Sequence, residues 1–182
     1  GNTCFYGATS GTAFISGSAG ERFAVRNSGA EIVIESVVGG NAFEYMTGGR
    51  AIVLTEMRSV NAFSGATGGI IYCYSDNKDN FKSGINMDTI ELESVEEEEV
   101  SYIKKMVQEH FELTGSKRAE TILSNFNVNV AKFVKVIPSD YKKALAIARE
   151  EAASTKKEVQ EANGVSISHK STVDEPKLQD LE

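Results

Sequence analysis

The sequence predicts a mainly β fold built as a parallel β-helix, a solenoid in which short strands of successive coils stack edge to edge. Three observations predict it: a repeat of about 20 residues, a strand-like apolar run in each repeat, and a concentration of glycine in the first 75 residues. Repeats of this length form coils that bury their apolar faces only against their neighbours. The fold class can therefore be predicted before any functional site is considered.

Phenylalanine and glycine carry the repeat. Phenylalanines recur at intervals of 18, 20 and 20 residues, and a glycine follows each one six residues later: Phe5, Phe23, Phe43 and Phe63, then Gly11, Gly29, Gly49 and Gly69. The register predicts about four coils, and because parallel strands lie about 4.8 Å apart the rod is on the order of 20 Å long. Its two open ends need covering.

A short run of β-branched and aromatic residues follows each of these glycines. The runs are too short for helices and are bounded by glycine, which favours strands. They cover residues 12–15, 30–34, 50–54 and 70–74. Aligned on the glycines, they predict two stacked columns of side chains: Phe14, Ile32, Ile52 and Tyr72 in one, and Ile15, Val33, Val53 and Cys73 in the other.

Glycine accounts for the corners of the coils. Most of the chain's 16 glycines fall in the first 75 residues, and a solenoid turns sharply several times per coil, where glycine takes a positive φ without steric cost. A phosphate-binding loop is not indicated, because no Gly-x-Gly-x-x-Gly or Gly-Lys-Ser/Thr pattern lies between a strand and a helix. The regular period also disfavours a flexible linker.

Beyond the coils the apolar periodicity becomes helical. Residues 95–114 predict an amphipathic helix that stops at Gly115, and Ser116 then caps a second helix. The acidic run Glu96–Glu99 fits the start of the first helix, where carboxylates complement the macrodipole. We expect the two helices to cover one open end of the coil stack or to dock on a neighbouring domain.

The remaining elements complete a three-part organisation. Residues 133–137 predict a short extended segment, and Ser139 starts a long polar helix. We expect a glycine-rich β-helix domain, a helical extension packing on the solenoid or on a neighbouring domain, and a disordered polar tail. These parts cover residues 1–90, 91–163 and 164–182.

Several motifs resemble those of one family. Residues 1–11, the run Gly-Ser-Ala-Gly-Glu-Arg-Phe-Ala-Val-Arg-Asn-Ser-Gly-Ala at 17–30, and Glu-Tyr-Met-Thr-Gly-Gly at 44–49 closely resemble the C-terminal glycine-rich domain of the glutamate synthase large (alpha) subunit. The resemblance covers about residues 1–145. It implies a right-handed, single-stranded β-helix of about four coils, followed by a helical segment. It also implies that the chain is a fragment of a much larger enzyme.

By that resemblance, the parent enzyme hydrolyses glutamine, channels the ammonia and adds it to 2-oxoglutarate. Electrons would pass through FMN and iron-sulfur centres from NADPH, NADH or ferredoxin. This chain would be a non-catalytic scaffold, with no catalytic, cofactor-binding or metal-binding residue of its own. Its partners would be the glutaminase and FMN-binding synthase domains of the large subunit and, where present, a small NAD(P)H-oxidising subunit.

Two alternatives belong to other classes. One is a separately encoded β-helix assembly subunit of a glutamate synthase-like or formylmethanofuran dehydrogenase-like oxidoreductase. The other is a carbohydrate-active solenoid, which would need clustered carboxylates on one strand face. The acidic residues of the coils share no predicted column, which disfavours that function: Glu31, Glu35, Glu44 and Glu56.

Cysteine and histidine usage points to no redox, metal or nucleophilic site. Cys4 and Cys73 are too few for an iron-sulfur cluster, and the predicted columns place Cys4 level with Arg22 and far from Cys73, so no disulfide is expected. Two isolated cysteines without a signal peptide fit a reducing compartment, the cytoplasm or, in a eukaryote, a plastid. His110 is expected to be partly buried on a helix, and His169 to lie in the polar tail.

The charge pattern excludes two partner classes and singles out one cluster. A net charge of −7 without a basic, aromatic-interleaved patch argues against nucleic acid, and no run of 18 apolar residues predicts a membrane span. On the second coil, Glu21, Arg22, Arg26 and Asn27 lie close in sequence. Either the arginines pair with carboxylates of a neighbouring domain, as guanidinium forks do well, or they form salt bridges with Glu21, Glu31 or Glu44 that brace adjacent coils.

Overall fold

The computed structural model describes the chain through Ser168, apart from residues 56, 58, 78–80, 83–84 and 86, with side chains through residue 155. Residues 1–142 form one compact unit and residues 143–182 a second, and each is described by itself. The elements are β1 (Thr12–Ala19), β2 (Glu31–Val37), β3 (Thr47–Val53), β4 (Gly68–Tyr74), β5 (Ile90–Ser94), α1 (Glu97–Thr114), α2 (Lys117–Ser124), α3 (Phe126–Asn129), a 3₁₀ turn (Val130–Lys132), β6 (Phe133–Pro138) and α4 (Ser139–Ser168).

In the described part of the chain, six strands form one sheet in the order β1-β2-β3-β4-β6-β5. Strands β1 to β4 are parallel and belong to stacked coils, whereas β6 pairs antiparallel with β4 and with β5. The predicted β-helix followed by a helical segment is confirmed. The predicted extended segment ending at Pro138 is β6, but β5 was not predicted.

The coil register differs from the predicted one by one residue. Thr12, Glu31, Arg50 and Ile70 are neighbours, so successive coils are 19, 19 and 20 residues long rather than 18, 20 and 20. Side chains alternate between the two faces of a strand, so a shift of one residue changes the column in which each side chain stacks. The observed columns are Phe14, Val33, Ile52 and Tyr72, and Ile15, Ile34, Val53 and Cys73.

Two adjacent glycine columns explain the error. Gly11, Gly49 and Gly69 directly precede Thr12, Arg50 and Ile70, the position that Ala30 takes before Glu31 in the second coil. Gly29, Gly48 and Gly68 form a second column one residue earlier in the sequence, where a register shift between β3 and β4 pairs Gly68 with Thr47. In this second column the backbones touch. A Cβ on Gly29, Gly48 or Gly68 would lie 2.2–2.3 Å from a carbonyl oxygen of the previous coil. Only glycine therefore allows the coils to approach this closely.

The phenylalanines nevertheless form one ladder inside the coils. Phe43 and Phe63 occupy equivalent positions, and their rings stack with centroids 5.6 Å apart and planes 12° apart. Phe23 comes from the adjacent backbone position, and its ring meets Phe5 and Phe43 edge-on, at 78° and 88°. Edge-to-face and offset-stacked pairs are both favourable, so the ladder accommodates the shift of the second coil.

The helices pack on the outer face of the sheet, so the expected covering of an open end of the coil stack was wrong, whereas docking on a neighbouring domain stays a prediction. Helix α1 begins at Glu97, two residues after the predicted start, and stops at Gly115 as predicted. The Ser116 hydroxyl accepts the Ala119 N–H and so caps α2, also as predicted. Tyr102 packs on Tyr72 of β4, and eight residues later His110 packs on Phe14 of β1. Eight helical residues rise about 12 Å, close to three strand spacings of about 4.8 Å.

Strand β6, not the helices, closes the last coil, and a buried ion cluster holds it there. Lys135 of β6 is 3% exposed, and its Nζ lies 2.9 Å from Glu99, 3.3 Å from Glu96 and 3.5 Å from Glu93. The Tyr72 hydroxyl donates to Glu99 at 2.9 Å. Burial alone would lower the pKa of Lys135, but the hydrogen bonds and charges of Glu99 and Glu96 raise it. The cluster ties β4, β5, β6 and the start of α1 together.

The last part of the chain differs from the predicted organisation in one respect. Helix α4 continues past Gly164 to Ser168, whereas the sequence predicted a disordered tail from residue 164. Residues 169–182 lie outside the described residues. The predicted boundaries after residues 90 and 163 stay predictions, although β5 continues across the first of them.

Gly48→Ala should lower the free energy of unfolding by about 3 kcal/mol, because the new Cβ overlaps the Ser28 carbonyl oxygen, a backbone atom. Gly11→Ala is the matched control. An alanine held at the φ of +92° of Gly11 costs about 1–2 kcal/mol, but its Cβ meets nothing within 4 Å. Urea unfolding monitored by circular dichroism measures both, and equal losses would show that close coil contact is not the constraint.

Lys135→Met should lower the free energy of unfolding by about 3 kcal/mol, because it leaves neighbouring carboxylates without their buried cation. Lys142→Met is the control, since Lys142 contacts Glu91 and Glu93 at 2.6 Å but lies half exposed, where ion pairs contribute little. The same urea titration at pH 7 compares them. A loss as large in Lys142→Met as in Lys135→Met would contradict the role of the buried cluster.

Candidate functional site

The turn that precedes each coil strand has an unusual backbone. Three residues, each two apart, have φ between 53° and 68° in every coil: Thr3, Phe5 and Gly7; Arg22, Ala24 and Arg26; Asn41, Phe43 and Tyr45; Asn61, Phe63 and Gly65. Nine of these twelve N–H groups donate to carbonyl groups of adjacent coils. For example, Arg22 donates to the Gly40 carbonyl at 2.9 Å and Ala24 to the Cys4 carbonyl at 2.8 Å. The turns are therefore a fixed, hydrogen-bonded platform.

This platform has an inner and an outer side. The central column points into the core, where Phe43 and Phe63 are buried, and the flanking columns face outward. We call the outer surface of the first three turns the Arg–Tyr face. Its residues line an open cavity of about 310 Å³: Tyr6, Arg22, Val25, Arg26, Asn41, Glu44 and Tyr45.

Arg22 and Arg26 are exposed on this face. Among the described residues, neither guanidinium forms an ion pair, so the predicted salt bridges with Glu21, Glu31 or Glu44 are not present there. Glu44 instead accepts a hydrogen bond from Asn41 Nδ2 at 2.6 Å. The cavity thus presents two cationic groups whose charge the rest of the described chain does not neutralise by direct contact.

Asn27, the fourth member of the predicted cluster, belongs to the core instead. It is fully buried, and its Oδ1 accepts the N–H groups of Gly29 and Ala30 at 3.2 Å and 2.9 Å. Its Nδ2 donates to the Ala30 carbonyl at 3.1 Å. These bonds fix the corner that leads into β2, so Asn27 supports the turn and does not reach the Arg–Tyr face.

The tyrosines of this face were not predicted. Tyr45 occupies the turn column in which the first and fourth coils have Gly7 and Gly65, and a Cβ on Gly65 would lie 2.6 Å from the Tyr45 ring. An aromatic residue in a glycine column is a signal that the sequence carries. The predicted register already aligns Tyr45 with Gly7 and Gly65, and the corrected register adds Arg26 to that column in place of Val25.

The two cysteines are both free, as expected, although their columns differ from the predicted ones. Cys4 is level with Phe23 rather than with Arg22, because Phe5 and Ala24 are the equivalent turn residues. Cys73 stacks on Val53 in the core, and burial raises the pKa of its thiol.

Within the described ranges, no group of three or more His, Cys, Asp or Glu side chains could hold a metal ion. Glu56 and His169 lie outside the described residues.

His110 is fully buried, more deeply than predicted, because α1 lies flat on the sheet. Among the residues that the structure describes, its two ring nitrogens have no hydrogen-bond partner, and its ring centroid lies 6.1 Å from that of Phe14. Burial lowers the pKa of His110, and the charge of Glu35 opposes that shift only in part. The imidazole is thus held neutral inside the protein and is not available to a substrate.

Comparison with known proteins identifies the family. The profile of the GXGXG motif family matches residues 1–139. The chain belongs to the GXGXG motif family. The resemblance predicted from its motifs is confirmed by relatives that are glutamate synthases.

Three relatives show the range of these enzymes. The chain is 52% identical over 214 aligned residues to glutamate synthase (NADH) of Saccharomyces cerevisiae, covering 100% of this chain and 10% of the relative. It is 46% identical to the glutamate synthase (NADPH) large chain of Bacillus subtilis, over 85% of this chain and 10% of that one. It is 44% identical to ferredoxin-dependent glutamate synthase of Pyropia yezoensis, over 76% and 9%.

The chain therefore spans about a tenth of the length of the curated relatives it matches. Because these relatives differ in the electron donor that their names give, the GXGXG segment does not by itself distinguish the donors. Within the described residues, no helix combines the length and hydropathy needed to cross a bilayer.

His110→Phe should remove a pH dependence of stability. The folded-state pKa lies below the ordinary 6.5, so neutral His110 contributes stability above that pH, which is lost as the pH falls, by up to about 1.4 kcal/mol per pH unit. Urea unfolding at pH 7.5 and 5.5 should show a smaller loss in the variant than in the unmodified protein. An equal loss in both would contradict a neutral, desolvated His110.

Gly65→Ala should move the Tyr45 ring, since the new Cβ meets two of its carbon atoms. Gly7→Ala is the control, because Gly7 has a similar φ of +68° and open space around it. Both should lose about 1–2 kcal/mol through backbone strain, but only Gly65→Ala should shift the Tyr45 ring resonances in an NMR spectrum. Unchanged resonances would show that Tyr45 does not rest on Gly65.

Proposed function

We propose that the chain is the β-helical domain of a glutamate synthase large subunit, and that it acts as a non-catalytic scaffold between the domains that carry the chemistry. In this proposal FMN, the iron-sulfur centre and the electron donor bind elsewhere in the longer polypeptide. Membership of the GXGXG motif family and the identity to three glutamate synthases support the enzyme. The scaffold role needs separate support from this chain's own residues.

The open end of the first coil gives that support. Strand β1 is the edge strand of the sheet, and Phe5, Phe14 and Ile15 of this coil are only half-buried. The residues stacked on Phe14 and Ile15 in the next coil, Val33 and Ile34, are fully buried. A solenoid end with apolar residues and an unpaired strand edge needs a covering element. The first coil is therefore suited to pack against further protein.

Three potentially reactive side chains support the same role, because packing or ion pairs hold them inside the protein. Cys73 and His110 are buried, and Lys135 is held by three carboxylates. These groups stabilise the coil stack and its closing strand. They make the β-helix rigid, and a rigid domain is suited to hold neighbouring domains in a fixed arrangement.

The test compares Ile15→Lys with Val128→Lys in the complete polypeptide. Ile15 lies at the open end, whereas Val128 is an exposed residue of α3. Ile15→Lys should break the docking of the first coil, so that glutamine hydrolysis exceeds glutamate formation from 2-oxoglutarate, while Val128→Lys leaves the two rates matched. Matched rates in both variants, or glutaminase activity or FMN binding by the isolated chain, would contradict the scaffold role.

A further inference from the structure

We propose that the Arg–Tyr face is a docking surface for an acidic segment of another domain of the same polypeptide. The segment would place one Asp or Glu carboxylate between Arg22 and Arg26 and an apolar side chain against Tyr6 and Tyr45. The proposal rests on the proposed function, in which this chain is one domain of a longer enzyme. Three observations on the described residues carry it.

The first observation is strain at exposed positions. Arg26 and Tyr45 have φ of 56° and 53°, in the column that holds Gly7 and Gly65 in the first and fourth coils. Glycine takes this conformation without cost, whereas other residues are strained in it. Both side chains are exposed, so neither gains full burial in return. The fold accepts glycine at these positions, so the strain of Arg26 and Tyr45 is not needed for the coil itself. Residues that keep such strain are typical of functional sites.

The second observation is the charge of the cavity lining. Arg22 and Arg26 are cationic and Glu44 is anionic, so the lining carries one net positive charge. One carboxylate balances that charge, whereas a phosphate dianion or a nucleic-acid backbone would exceed it. The planar guanidinium fork also matches carboxylate geometry. The lining therefore favours a single Asp or Glu side chain.

The third observation distinguishes a peptide from a small ligand. The N–H groups of Arg22 and Arg26 are already bonded to the Gly40 and Glu44 carbonyls, at 2.9 Å each, so the platform offers them to no ligand. A partner must therefore be bound by side chains on an open surface, on which Tyr6 is 53% and Tyr45 54% exposed. Val60 extends this apolar margin, at 72% exposed, with its carbonyl bonded to the Asn41 N–H. Arginine and tyrosine beside apolar residues are enriched where proteins dock.

The experiment captures the docked segment in the purified, complete polypeptide. The photo-cross-linking amino acid p-benzoylphenylalanine replaces Val60, at the margin of the face, so that Arg22, Arg26 and the tyrosines stay intact. After irradiation, mass spectrometry should find an intramolecular cross-link to a peptide outside these 182 residues with an Asp or Glu close to the linked residue. No cross-link, a link to a second copy, or a peptide without an acidic residue would overturn the proposal.

A variant that preserves folding tests the role of the guanidinium. Arg26→Gly suits the positive φ and should leave the isolated chain at least as stable, yet it should lower the cross-link yield about tenfold, the factor expected for one lost charge-assisted hydrogen bond. Arg26→Lys should lower the yield less. Lys105→Gln, which removes an exposed charge on α1, is the matched control and should change nothing. An unchanged yield in Arg26→Gly would overturn the proposal.

The same preparations separate this inference from the proposed function. Glutamate synthesis from glutamine and 2-oxoglutarate is assayed beside the cross-link. Activity without a cross-link would refute the docking surface and leave the enzyme assignment intact. A cross-link that Arg26→Gly removes, in a polypeptide without that activity, would support the docking surface and refute the enzyme assignment.

Discussion

Close backbone contact between successive coils is the constraint on which the rest of the structure depends. The glycine column of Gly29, Gly48 and Gly68 brings each coil so near the previous carbonyl oxygens that a single methyl group would overlap them. This spacing lets the turns exchange N–H···O bonds with the coils on both sides and keeps the phenylalanine rings in one ladder. The outward side chains consequently stand on a backbone that has little freedom to move.

The sequence predicted the coils, both helix termini around Gly115 and the β6 segment, because each has a local signal: a period, a cap or a breaker. It placed the second coil one residue out of register. Phe23 and Gly29 keep the six-residue spacing of the other coils, so the two markers agreed with each other while both were shifted. The covering of the outer face by α1 and the pairing of β6 with β4 depend on contacts distant in sequence, and no local pattern carries them.

The candidate site was predicted in part for the same reason. Arg22 and Arg26 stand out in the sequence as charges within an apolar, glycine-rich coil, but Asn27 beside them is a buried corner residue. Tyr45 shares a column with Gly7 and Gly65 in the predicted register as well, but only the corrected register adds Arg26 to that column in place of Val25. The repeat fixes the backbone, and residues that differ from the repeat can be recognised against it. Arg26 and Tyr45, which stand where other coils have glycine, are such residues and belong to the Arg–Tyr face.

Hydrogen exchange on the isolated chain and on the complete polypeptide tests most directly whether this β-helix is a scaffold that other domains pack against. If it is, the amides of β1 directed away from β2, and those of the turns under the Arg–Tyr face, should exchange at least about tenfold more slowly in the complete polypeptide. The amides of β3 and β4, already inside the sheet, should exchange equally in both. Equal exchange throughout the chain would contradict the scaffold account.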